Sequence, residues 1–326
     1  MGYESSVNTQ KIAELFGSVD ENLYFCSIMK GKYLNPKADL TFKKIFGEHP
    51  HLVKSLLNAL LPLEEGKQIE SVEYLTPEMV PEHPTKKNSI VDVRCRETGG
   101  RHFIVEMQMN WNDEFKQRVI LNASKAVVKQ LDKNEDYRLI QPVYSLNLIN
   151  DTGFESALDD FYHDYAIVNV AHSDRIIEGL RFVFVELPKF FTSRQQGLHM
   201  PKPIALKRMV VLWLQFLTEI DEQTETISPE LLENADTSDA LQILEKSAYS
   251  EGQLYAYEQF WDAVINERVS IEGSFKKGIQ QGIQQGIQQG AQQANLDHAR
   301  KMEARGFDTE TISDITGLTP EQIQQL

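Results

Sequence analysis

Cysteine is nearly missing: Cys26 and Cys95 are the two present in 326 residues. Cys95 falls on the apolar side of an alternating run, so no disulfide framework organises this chain. No apolar run approaches the roughly 20 residues of a membrane helix, and no membrane partner is expected. The first residues lack a basic segment followed by an apolar one, so no secretory leader is expected and the cytoplasm is the expected compartment. A Walker-type loop and a dinucleotide fingerprint are both absent. The eight histidines show no ligand spacing, which argues against a zinc site. Basic residues are scarce as well, 33 against 48 acidic, for a net charge of −15. That excludes a surface coated in positive charge for a polyanion. The deficit is uneven: residues 30–134 carry 17 basic and 14 acidic side chains, net +3, whereas 135–326 carry a net −15. A local basic groove in an acidic protein fits this, and so does chance segregation of charge.

What is present centres on Asn88 to Asn110, which reads as two strands joined by a short turn at Gly99-Gly100. Alternation places Ile90, Asp92, Arg94 and Arg96 on one face of the first strand, and Val91, Val93 and Cys95 on the other. In the second strand Ile104, Glu106 and Gln108 share a face, and Phe103, Val105, Met107 and Met109 form the apolar one. Directly opposed residues must lie on the same face. A loop of Thr98, Gly99 and Gly100 satisfies this, pairing Glu97 with Arg101, Asp92 with Glu106 and Ile90 with Gln108. Two carboxylates then stand side by side, an arrangement that is unfavourable unless a cation lies between them. Such a pair suits a hard, oxygen-loving ion such as Mg²⁺. The plainer reading is a solvated strand face on which Arg94 and Arg96 neutralise the acids.

The flanking pattern alternates helices and strands. A helix begins near Asn35, with Asp39 as its N-cap or as a third acid beside the pair, and Lys43 one turn on. A second helix spans His51–Leu61. Ile69–Leu75 reads as a strand, and the Pro-rich run that follows carries Lys86 and Lys87, placed to meet a nucleic-acid backbone. A helix over Asn112–Leu131 carries Arg118 and Lys125. Strands are expected at Pro142–Asn150, Tyr165–Ala171 and Leu180–Leu187, the last two as a hairpin. Helices are expected at Ile204–Ile220 and through most of Leu231–Glu267, with Tyr255, Tyr257, Phe260 and Trp261 as core aromatics. The whole is an α/β fold, a mixed sheet flanked by helices, followed by a mainly helical C-terminal region.

Near the end, Gly278-Ile-Gln-Gln repeats from Gly282, Gly286 and Gly290. Each helical glycine costs about 1 kcal/mol relative to alanine. The segment therefore reads as a flexible, partly helical linker or as a stripe for self-association, making a homo-oligomer through residues 278–326 one expectation. Three short helices follow, with Gly306 and Gly317 as C′ residues and Thr319-Pro320 as N-cap and N1. The tail from Thr311 resembles a helix-turn-helix, but its second helix offers Glu and Gln and no basic residue, which favours protein docking.

Several of these stretches carry a family resemblance. They are Asp92 with Glu106-Met107-Gln108, the run Tyr33-Leu-Asn-Pro-Lys-Ala-Asp39-Leu-Thr-Phe42-Lys43-Lys-Ile-Phe-Gly47, Phe115-Lys-Gln-Arg118, Ala123-Ser-Lys-Ala126, and the Gly-x-Gln-Gln repeats. Together they resemble the Rpn family of recombination-promoting nucleases, within the PD-(D/E)xK superfamily, from about Gly31 onward. The resemblance implies a Mg²⁺-dependent DNA endonuclease, with Mn²⁺ as a substitute. Asp92, Glu106 and the Met107 carbonyl would hold the metal, Gln108 would orient water, and Asp39 would assist. Lys43, Lys86, Lys87, Arg118 and Lys125 would meet DNA. Val91 stands where the superfamily name has proline, and Gln108 where it has lysine; glutamine orients by hydrogen bonding but brings no charge. The alternative is a nuclease fold retained for binding nucleic acid or protein. The expected divisions are 1–28, an extension that resembles a protease-cleavage tag or upstream sequence; 29–200, the nuclease-like domain; 201–275, helical; 276–294, the repeat; and 295–326, the tail.

Overall fold

The computed structural model describes residues 31–78, 90–131, 135–195 and 208–326. The 1–28 extension, Cys26, Lys86 and Lys87 lie outside the described residues. The helices are α1 (Asp39–Phe42, continued by a π turn over Lys43–Gly47), α2 (Pro50–Leu60), α3 (Glu114–Val128), α4 (Leu187–Gln195), α5 (Arg208–Glu219), α6 (Pro229–Glu233), α7 (Ala235–Ile243), α8 (Glu251–Glu303), α9 (Thr309–Thr316) and α10 (Pro320–Ile323). The strands are β1 (Glu73–Tyr74), β2 (Val93–Arg96), β3 (His102–Gln108), β4 (Val143–Ile149), β5 (Tyr162–Asn169) and β6 (His172–Glu186).

The six strands form one sheet in the order β1-β2-β3-β4-β6-β5. β1, β2 and β3 run antiparallel in turn, β3-β4 and β4-β6 are parallel, and β5 closes the edge antiparallel to β6. A parallel neighbour needs a crossover, and α3 supplies it between β3 and β4. The β2-β3 hairpin adopts the three-residue loop that parity requires. Val93 pairs with Val105 and Arg96 with His102, and Glu97 N–H donates to the Arg101 carbonyl at 3.1 Å. Gly100 takes φ +93°, and a Cβ there would lie 2.8 Å from Gln141 Cγ, so glycine is required twice over.

The core lies on both faces. On one, Phe103, Val105, Leu146 and Val183 pack against Phe42, Phe46 and Leu56 of α1 and α2 and against Trp213 and Phe216 of α5. On the other, Ile104 and Val143 meet Ala123 and Ala126 of α3, while Phe115 and Val119 pack with Ile149, Phe154 and Phe184. α3 therefore roofs the face that carries Glu106 and Gln108.

Several expectations change. Alternation breaks at Asp92, where the chain bends; Val91 crosses to the α3 face and packs with Ile104 rather than with Val93. The cause is local: Val91 N–H bonds to the Pro77 carbonyl at 3.2 Å instead of continuing the ladder. The solvated-face reading fails, because Glu106 is 6% exposed and Arg96 pairs with Glu73. Asp39 is not the N-cap; Ala38 takes that place, and no side chain caps the helix. β1 spans two residues where a longer strand was expected. Tyr255 is exposed, while Tyr257 and Trp261 are buried with Leu34, Ala38 and Met109.

The chain divides into one unit ending at Val264 and a second over Ile265–Leu326. The Gly-x-Gln-Gln repeat is fully helical within α8. In the second unit Ala299, Ile312, Leu318 and Ile323 form a small core. Gly317 ends α9 in the left-handed region at φ +69°, and Thr319 starts α10 through a capping box with Gln322.

Candidate active site

The site grows from the hairpin register. Extending the ladder one residue past Val93–Val105 sets Asp92 opposite Glu106. The next pair would be Val91 with Met107. Because Val91 has left, Met107 N–H donates instead to Asp92 Oδ2 at 2.7 Å. The Met107 carbonyl shares that strand edge with its N–H, since both groups of one strand residue point the same way. The bend thus gathers the Asp92 carboxylate, the Glu106 carboxylate and the Met107 backbone at one place.

Burial dominates the electrostatics. It pushes Asp92 up to about 6, against the Met107 hydrogen bond and the charges of Lys43 and Arg118, which favour the carboxylate, while Asp39 adds to the rise. Glu106 is pushed up to about 7 by burial, against an Asn122 hydrogen bond, with the Asp92 charge adding to the rise. Two neighbouring acids that each resist ionisation are a site short of positive charge.

α1 and α3 bring the surrounding groups. Lys43 Nζ lies 2.6 Å from Asp39 Oδ1 and 4.0 Å from Asp92 Oδ1, so it bridges the first-helix acid to the hairpin acid. From α3, Asn122 Nδ2 donates to Glu106 Oε1 at 2.8 Å. One turn earlier, Arg118 Nη2 donates to Gln108 Oε1, and its guanidinium lies 4.9 Å from the Phe115 ring centre. Gln108 Nε2 donates to the Asn110 carbonyl at 2.6 Å, and Asn110 Nδ2 to the Val264 carbonyl at 3.0 Å.

Of the residues singled out in the sequence, Asp39, Lys43, Asp92, Glu106, Met107, Gln108 and Arg118 come together here. Lys125 lies two helical turns from Arg118, about 10 Å along the axis, beside Lys129. Sequence reasoning missed Asn122 and Asn110. Asn122 left a trace: it is a polar residue on the α3 stripe of Phe115, Val119, Ala123 and Ala126, all buried.

Among the described residues no group of three or more His, Cys, Asp or Glu side chains forms a metal cage. Two carboxylates and a carbonyl nevertheless fit an ion that keeps several waters, as Mg²⁺ does, and the raised acids are the groups such a charge would relieve.

Residues 36–274 match the family model described as PD-(D/E)XK nuclease family transposase. Residues 292–326 match that described as Rpn/YhgA-like nuclease family, C-terminal HTH domain. No curated protein matches the chain, and no solved structure does.

Proposed function

This chain belongs to the PD-(D/E)XK nuclease family transposases, and from that membership we propose that it is a divalent-metal-dependent endonuclease hydrolysing DNA phosphodiesters in recombination or transposition. The observation that carries the reading is the juxtaposition of half-buried Asp92 and buried Glu106 where the hairpin ladder ends, with Asn122 holding Glu106. Asp92, Glu106 and the Met107 carbonyl would hold Mg²⁺ or Mn²⁺. When bound, such an ion activates water and neutralises charge on the phosphate. The protein's own part is orientation: Met107 N–H fixes Asp92, Asn122 fixes Glu106, and Asp39 acts through Lys43. Lys43, Arg118 and Lys125, with Lys86 and Lys87, would meet the DNA backbone, and the C-terminal HTH match supports a DNA partner. No described helix is long and apolar enough to cross a membrane, and we assign the protein to the cytoplasm on this reading.

The test is cleavage of supercoiled plasmid with and without Mg²⁺ or Mn²⁺. Metal-dependent nicking that Asp92→Ala and Glu106→Ala both abolish is expected; an Asp92→Ala protein that cuts as well as the parent overturns the assignment. A second reading, a nuclease fold kept for binding alone, is favoured by Gln108 standing where the signature has lysine. It requires metal-independent DNA binding and no cleavage. Self-association through residues 278–326 is supported by Ile279, Ile283 and Ile287, which are exposed along α8. An unchanged solution mass after removal of 278–326 rejects it.

A further inference from the structure

We propose that Arg118 supplies to the scissile phosphate the positive charge that the missing signature lysine would bring, and that Gln108 is the positioning residue that holds it. This inference rests on the nuclease reading and assigns residues within it.

The hydrogen bonds around Gln108 set its role. Nε2 is committed to the Asn110 carbonyl at 2.6 Å, which orients the amide so that Oε1 faces α3. Oε1 then accepts from Arg118 Nη2. Gln108 is 9% exposed, so this is a nearly buried anchor. The glutamine that stands in the lysine position thus grips a cation from the neighbouring helix.

The guanidinium is well placed for the charge it replaces. It offers five N–H donors in a planar fork that matches a phosphate. The Phe115 ring supports it at 4.9 Å. Arg118 itself is exposed, and among the described residues no carboxylate lies within ion-pair distance of it. Its charge acts on both Asp92 and Glu106, so it lies within the field of the carboxylate pair. The other cation near the pair, Lys43, is bound to Asp39 at 2.6 Å. Lys43 is thus already neutralised by a carboxylate, whereas Arg118, among the described residues, keeps its full charge and free N–H groups for a substrate.

The test moves the charge back into the strand. Plasmid cleavage with Mn²⁺ is measured at saturating DNA. Binding of a fluorescein-labelled duplex is measured across a salt series with Ca²⁺ in place of Mn²⁺. Arg118→Ala is expected to lower the rate about 100-fold or more and to reduce the salt slope of binding by about one. Arg118→Lys is expected to keep the slope and part of the rate. Combining Arg118→Ala with Gln108→Lys is expected to regain at least about tenfold in rate and to restore the slope, a rescue that a merely structural arginine would not show. The proposal is overturned if Arg118→Ala keeps the parent's rate and slope. It is equally overturned if the double variant, folded by circular dichroism, stays as impaired as the single one. If the parent cuts nothing with any metal, the nuclease reading fails and the salt slope alone judges Arg118. A slope lost in Arg118→Ala and regained in the double variant keeps the phosphate contact, and an unchanged slope removes it. A parent that neither cuts nor binds DNA removes both.

Discussion

The Met107 backbone N–H donates a 2.7 Å hydrogen bond to Oδ2 of Asp92, one residue beyond the last Val93–Val105 pair of the hairpin. The donor is one that the strand ladder would have used, had Val91 not turned to Pro77. One interrupted pair therefore both ends the β2–β3 ladder and aims an acid.

The two raised acids make the metal-free protein pH-sensitive. Asp92 moves from 3.8 to about 6 and Glu106 from 4.5 to about 7. Both hold their protons more tightly folded than unfolded. Their contribution to stability is full below the unfolded values and is lost as pH rises through the folded ones. Without metal, Glu106→Gln is expected to melt above the parent at about pH 8 and to lose that advantage below about pH 4. Added Mg²⁺ should raise the parent's melting temperature at about pH 8 more than the variant's. Thermal melts across pH check this. A metal-free parent more stable at high pH than Glu106→Gln contradicts it.

Asn122 holds Glu106 Oε1 at 2.8 Å. Asn122→Ala is expected to cost about 1–3 kcal/mol in urea unfolding. Its hydrogen bond favours the ionised acid, so the cleavage profile should also shift toward higher pH. An unshifted profile would make Asn122 a packing residue alone.

Trp261 is 5% exposed and packs with Met109, directly after the Gln108 strand. Trp261→Ala is expected to destabilise the protein by about 3–5 kcal/mol. Denaturant titration measures it, and a loss under about 1 kcal/mol would mean that this aromatic cluster is not part of the cooperative core.

Glu186 is fully buried, 3.0 Å from His163 Nε2 and 2.7 Å from Lys189 Nζ. Lys189→Met leaves that carboxylate without its ammonium and is expected to cost about 3–5 kcal/mol. Adding Glu186→Gln should recover part of the loss. If the double variant is no better than the single one, the charge imbalance is not the cause.

A Cβ added at Gly282 or Gly286 would meet nothing within 4 Å. Replacing each with alanine is expected to stabilise α8 by about 1 kcal/mol per site. Circular dichroism of the full chain should show higher helicity on heating, with plasmid cleavage unchanged. Lost cleavage would give the glycines a role beyond the helix.

Much of the site was legible because a strand has a period of two. Parity alone chose the three-residue loop, and that loop set the register up to Val93–Val105, with Asp92 the next residue beyond it. Helix signals also read well at the tail, where Gly317 and Thr319-Pro320 act as local chemistry requires. What the pattern misplaced were features decided by their helical context rather than by residue type. Asp39 has the composition of an N-cap, but Lys43 is close enough to take its carboxylate. The Gly-x-Gln-Gln run has poor helix propensity, but it lies inside a 53-residue helix that propagates through it.

The sequence by itself determined the hairpin and its register, because these follow from alternation and a glycine turn over a short span. Only the tertiary structure decided that the acid-bearing face is roofed by α3 rather than open to water. That roof covers Glu106 and brings Asn122 to Glu106 and Arg118 to Gln108. Helix and strand meet there because β3 and β4 run parallel and need a crossover between them. No local pattern states which side chains such a crossover will bring face to face.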